Sequence, residues 1–385
     1  MKKSIFKSTL PILMTALVFV SCSKESDLEG STEQVVGVSA KASVKKSHQE
    51  AVKLTSKISK STFSHDFNPA KAKLVQPSEC GLTEFDYAVF EAFNNLDPLA
   101  REWFDFYAAV NFGTTIIDDD AQYFGDRGQY TNLVNKITRN LENFWNMPNE
   151  VTVRGEHNMT LTDPDKIAES LIVIYGLDPS LAVAYADFLV NYVNLESNIL
   201  ENPLISADGF AIALDGILGQ GDLIVIGDGI IDLASSAGID AKIAWNGIMA
   251  HEWGHQLQFN KRGAWEYPGV DLSDEAEDTR STELEADFIT GYFLTHKRGG
   301  TYNWWRAEEF LNLFFGIGDC AFTNPGHHGT PIQREAAAYQ GYLLAKSAQE
   351  NGKILSADEV HNAFIQKLGT IIESGPVIEP ETNFQ

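Results

Sequence analysis

Of the 385 residues, the stretch AHEWGHQLQFNKRGAWEY, Ala250 to Tyr267, places the tightest limits on the rest of the chain. Residues four apart on an α-helix share a face, so His251 and His255 can turn two imidazole nitrogens toward one point. Glu252 then lies roughly 100° round the helix from His251. The preceding DAKIAWNGIM places Ile243, Trp245, Ile248 and Met249 on the same helix as apolar contacts. Two readings follow: a metal-binding pair with a base beside it, or polar residues that share a helix by chance. Context has to separate them.

Upstream, GFAIALDGILGQGDLIVIGDG reads as two β-segments, Phe210 to Leu214 and Asp222 to Ile226, around a glycine-containing turn. An edge strand beside a histidine-bearing helix can pair with an extended peptide backbone. A tetrahedral catalytic zinc takes three protein ligands, so the two histidines are one short. Downstream, DTRSTELEADFITGYFLTH reads as a helix with Glu283 and Asp287 four apart and Thr282 and Glu285 beside or between them. Glu283 is the expected third ligand. One carboxylate with two neutral imidazoles leaves a net positive site that acidifies water, whose proton Glu252 can take. Asp287 is placed to accept a hydrogen bond from the outer nitrogen of a ligating histidine.

These residues resemble the gluzincin metallopeptidases, in particular the bacterial neutral zinc metallopeptidases and the related HtpX-like and CAAX-prenyl proteases. The resemblance covers about residues 202 to 345 and rests on the strand pair, AHEWGHQLQ, ELEAD and HHGTPIQREAAAYQGY, in that order. It implies that Glu283, opening an E-x-x-A-D motif, is the third zinc ligand and that Asp287 closes that motif. It also implies that His328, six residues before Arg334, donates a hydrogen bond to the transition state, with Arg334 as its structural support. His327 competes with His328 for that role. The membrane spans of some relatives are missing, so prenylated substrates are not implied.

The N-terminus MKKSIFKSTLPILMTALVFVSCSKES carries Lys2, Lys3 and Lys7, then an apolar run from Leu10 to Val20 that is too short for a membrane span of roughly 20 residues. It reads as an export signal. Cys22 after Ser21 resembles a bacterial lipoprotein site, with lipid on the thiol, although Phe19 stands where Leu is usual. Plain cleavage near Ser21 is the alternative. Of the other cysteines, Cys80 and Cys320 either form a disulfide in an oxidising compartment or stay two inert thiols.

Residues 23 to 75 hold 9 Lys against 6 acidic residues, whereas residues 76 to 385 hold 17 basic against 47 acidic residues, a net −30. Such a surface repels phosphate backbones and anionic headgroups, which disfavours nucleic acid as a partner, permits a basic peptide and favours solubility. Asp118, Asp119, Asp120 and Asp126 do not match the EF-hand loop pattern and read as an exposed acidic loop, with a calcium site as the alternative. Asp163-Pro164 and Asp178-Pro179 start two packing helices.

The expected protein is α+β and mostly helical, a zincin-like metallopeptidase fold with a small sheet beside the HExxH helix and a helical C-terminal part. Residues 1–21 are the signal and 22–76 a flexible tether. Residues 77–370 form the domain, helical over 77–200 with the catalytic core at 202–345, and 371–385 are a frayed tail. The expected function is a lipid-anchored zinc peptidase of the bacterial cell envelope, holding one zinc ion and acting on peptide or protein substrates. The alternative is a degenerate zinc-binding protein or a substrate-binding lipoprotein without turnover.

Overall fold

The structure is a computed structural model that describes residues 83–213, 222–261, 263–303, 306, 309 and 328–373. The signal and tether with Cys22, both Cys80 and Cys320, and His327 lie outside the described residues. The described part is α+β and mostly helical, with one three-stranded sheet.

Aspartate and threonine side chains begin the first helices by accepting from backbone N–H groups that have no partner inside the helix. Helix α1, Glu84–Asn95, starts with a reciprocal pair in which Thr83 accepts from the Asp86 backbone and Asp86 from the Thr83 backbone. Asp97 caps α2, Pro98–Ile117, with proline in the first turn. Helix α3, Thr131–Trp145, ends on Asn146 in the left-handed conformation. Strand β1, Val151–Glu156, comes next, then α4, Pro164–Val173, and α5, Pro179–Phe188, capped by Asp163 and Asp178 as their Asp-Pro pairs predict.

Strand β2 is Gly209–Ile212 and β3 is Asp222–Gly227. They pair antiparallel, Phe210 opposite Val225, while β1 joins the other side of β3 in parallel, Val151 opposite Asp222. The expected strand pair is present, though Leu214 falls outside the described residues. The sequence reading missed β1. Its VTVRGE run alternates apolar and polar residues but is short and carries only two apolar side chains, and its charged Arg154 and Glu156 are buried where an outward face would be expected. Central β3 reads LIVI without interruption because both of its faces are covered. Phe210, Ile212, Leu223 and Val225 pack toward Ile116 and Ile174, and Ala211, Ile224 and Ile226 join the main core.

The C-terminal half comprises α6, Asp228–Ser236; α7, Ala241–Asn260; α8, Glu275–Thr295; α9, Pro331–Glu350; and α10, Ala357–Ile372. Helix α7 lies on the sheet, α8 lies between α7 and α9, and α10 packs on both α8 and α9. Small residues allow these approaches. A Cβ on Gly254 would come 3.1 Å from the Ala286 Cα, one on Gly341 2.0 Å from the Phe288 carbonyl oxygen. Helix α10 runs to Ile372, slightly beyond the expected end of the domain. No helix among the described residues is long and apolar enough to cross a membrane.

Candidate metal centre

Helix α7 is buried on nearly every side, with Trp245 and Trp253 wholly enclosed, so its polar residues enter the interior with it. His251, Glu252 and His255 are 1%, 0% and 3% exposed. Burial of that order costs several kcal/mol per unpaired charge, so each group needs a partner.

Glu283 on α8 meets both histidines. Its Oε2 lies 3.2 Å from His251 Nε2, its Oε1 lies 3.4 Å from His255 Nε2, and the two Nε2 atoms are 3.1 Å apart. The outer nitrogens are engaged elsewhere. His251 Nδ1 donates to Asp287 Oδ1 at 2.9 Å, and His255 Nδ1 faces Gln258 Oε1 at 2.8 Å. Both partners are acceptors, so each imidazole carries a hydrogen on Nδ1 and, when neutral, turns its Nε2 lone pair inward. A proton on one inner nitrogen relieves only the contacts of that atom. A metal ion relieves all three, and bonds of about 2.0 to 2.1 Å in a tetrahedron put neighbouring donors about 3.3 Å apart. This buried His-His-Glu group can hold a metal ion.

Arg334, in the first turn of α9, donates from Nε to Asp287 Oδ2 at 2.7 Å and from Nη2 to Asp287 Oδ1 at 2.8 Å. The same Nη2 is 3.8 Å from Glu283 Oε2. The resemblance implied Arg334 as a support for His328; the two-pronged bond to Asp287 shows it orienting the carboxylate that holds His251. Burial pushes the Glu283 carboxyl up, but the charges of His328 and His255 and the bond from His251 carry it well below the usual carboxylate range. Burial likewise opposes the charge on His251, and the bonds to Asp287 and Glu283 outweigh it, raising this imidazole above 6.5.

His328 is half-buried and close enough for its charge to act on Glu283. Gly329 follows at φ 94°, a conformation that favours glycine, and Thr330 with Gln333 forms the reciprocal cap that starts α9. Gln256 ties the site to the sheet by donating to the Leu223 carbonyl at 2.9 Å and more distantly to that of Ile212.

The acidic loop has another character. Lys166 Nζ donates to Asp118 at 3.1 Å and to Asp120 at 2.7 Å, and Asp119, Asp120 and Asp126 are exposed. A lysine ammonium thus already serves Asp118 and Asp120, although Asp118, Asp119 and Asp120 lie close enough together to hold an ion.

The roles of two residues at the centre, Gln258 and Glu285, were not expected from the sequence. Gln258 was readable in principle, since position i+3 from His255 shares its helix face. Glu285 had no such signal, because its partner Gln258 is on another helix. Compared with known proteins, the chain matches no family model, no curated protein and no solved structure.

Proposed function

We propose that the chain is a zinc-dependent peptidase of zincin-like fold, with His251, His255 and Glu283 as the zinc ligands and Glu252 as the base. The observation that supports this most is the convergence of the Glu283 carboxylate with two imidazole Nε2 atoms whose outer Nδ1 atoms are already engaged. Two imidazoles and one carboxylate suit zinc, and they leave a coordination position for the reacting groups. When bound, the ion supplies Lewis acidity, polarising a peptide carbonyl and acidifying water.

The protein's own groups do the remaining work. Glu252 takes the proton of the attacking water and returns it to the departing amine. His328 donates a hydrogen bond to the oxygen on which negative charge develops. Asp287, clamped by Arg334, keeps the His251 hydrogen on Nδ1. Strand β2 pairs with β3 alone among the described residues, but Gly209–Ile212 is buried throughout, so the strand supports the centre and does not offer an open edge to an extended peptide. With the export signal and Cys22, the same reading places the enzyme on a lipid anchor at the cell envelope.

The test is zinc content together with hydrolysis of a peptide library. Wild type should carry about one zinc per chain, as one tetrahedral site requires. His255→Ala should lose the metal, while Glu252→Gln should keep metal and fold yet lose nearly all turnover, because an amide cannot accept the proton. Undiminished zinc in His255→Ala, or wild-type turnover in Glu252→Gln, would sink this assignment.

A further inference from the structure

On the far side of His255 from the proposed metal, an uninterrupted line of side chains leads out to the C-terminal helix. Gln258 Nε2 donates to the Thr282 carbonyl at 2.8 Å and to Glu285 Oε2 at 3.1 Å. Both are pure acceptors, so both amide hydrogens are used there, and only Oε1 can face His255 Nδ1. The amide cannot flip without setting its NH2 against the imidazole N–H. Glu285 is wholly buried on α8 and receives three donors: Gln258, the Tyr267 hydroxyl and, at 2.6 Å, Nδ1 of His361 on α10. Burial and the Glu285 charge push the Tyr267 phenol far up, which keeps it a donor.

His361 is itself held. Trp265 stacks on its ring at 4.4 Å with planes 9° apart, and Tyr267 meets it edge-on at 5.6 Å. Trp265 Nε1 also donates to Asp358 on α10 at 2.8 Å, and Lys261 Nζ binds the same carboxylate. The segment after α7 therefore clasps α10 against the end of the line.

We infer that Gln258, Glu285 and His361 are positioning residues of the metal centre: α10 and α8 act through them to fix the tautomer and ring direction of His255. The inference rests on the metal-binding reading above. It also explains why the two histidines have different outer partners. The Asp287 charge is offset by Arg334, and the Gln258 amide is neutral with Glu285 one bond further out, so neither partner cancels the positive charge left by a cation with one carboxylate ligand. A bare carboxylate on His255 would cancel it.

The experiment measures zinc affinity of the full chain by chelator competition, with melting of the metal-free protein alongside. Gln258→Leu should weaken zinc about 10- to 100-fold, the usual consequence of losing an outer partner of a ligand. Gln258→Glu should also weaken it, by setting a second carboxylate against Glu285. Adding Glu285→Gln to that variant removes the carboxylate pair: the new amide can donate to position 258 and accept from His361, so zinc affinity should recover in part, the Thr282 carbonyl still lacking its donor. His361→Phe keeps the stack on Trp265 and removes the donor, so a smaller loss is expected with little change in melting. Wild-type zinc affinity in Gln258→Leu, or a double exchange no better than the single one, overturns the positioning role while leaving the metal site intact. Failure of the wild type to bind zinc overturns both.

Discussion

A single side chain in this centre is defined by where its hydrogen goes. His251 and His255 have the same chemistry and burial, yet one is oriented by a carboxylate and the other by an amide. His328 is of a third kind: it stands before Gly329 and the capped start of α9, outside any helix, and acts on Glu283 through its charge. A donor so placed is expected to serve a developing oxyanion more than a bound substrate. His328→Ala should therefore lower kcat by roughly 10²-fold or more with KM little changed, and His327→Ala should be mild. Steady-state kinetics on zinc-loaded variants gives the answer. The reverse ranking, or two equally small effects, returns this segment to an ordinary loop.

Between helices, closeness is what makes the centre. Glycine at Gly254 lets α7 settle on α8, and glycines at Gly291 and Gly341 let α9 settle on the other side of α8. Arg334 sits two turns before Gly341 on α9, so the Arg334–Asp287 clamp depends on that approach. A methyl at Gly341 would meet the Phe288 carbonyl at 2.0 Å and the Tyr292 nitrogen at 2.8 Å. Backbone cannot give way as a flexible side chain can, and overpacking of this kind costs about 1 to 3 kcal/mol or more. Gly341→Ala should lower both the melting temperature and zinc affinity. Gly369→Ala on α10, with nothing within 4 Å, is the control and should be neutral or stabilising by about 0.5 to 1 kcal/mol. Equal melting for the two variants would argue that α9 can slide without consequence.

Acid should loosen the entire fold through a group remote from the metal. His296 follows α8, lies against Phe144 of α3, and joins the turn between α9 and α10 by donating from Nε2 to the Lys353 carbonyl at 2.9 Å. Its Nδ1 accepts from the Arg298 backbone at 3.1 Å, so a second proton would face an N–H group. Burial, with the nearby Arg298 and Lys297 charges, holds this imidazole below 6.5 against the opposing Lys353 bond. A depressed folded value means the contribution is present above the unfolded value near 6.5 and is lost as pH falls through the folded one. Urea unfolding of wild type between about pH 7.5 and 5 should show this loss, and His296→Gln, which can both donate and accept, should flatten it. Identical acid slopes would refute the role of His296. The same long-range contacts explain what could be read from the chain alone. The shared helix face of His251 and His255, the Asp-Pro helix starts and the strand pair around residues 210 to 226 are set by local periodicity and capping, which act over a few residues. Glu283 was expected as the third ligand from the downstream acidic helix and from the resemblance, but spacing alone could not say which face of α8 turns toward α7. That face was settled by packing: Glu283 and Asp287, four apart, meet the histidines, whereas Glu285 between them turns to Gln258 and α10. The pairing of β1 was hidden because its partner β3 begins 71 residues later, and no local pattern encodes a hydrogen-bonding partner that distant.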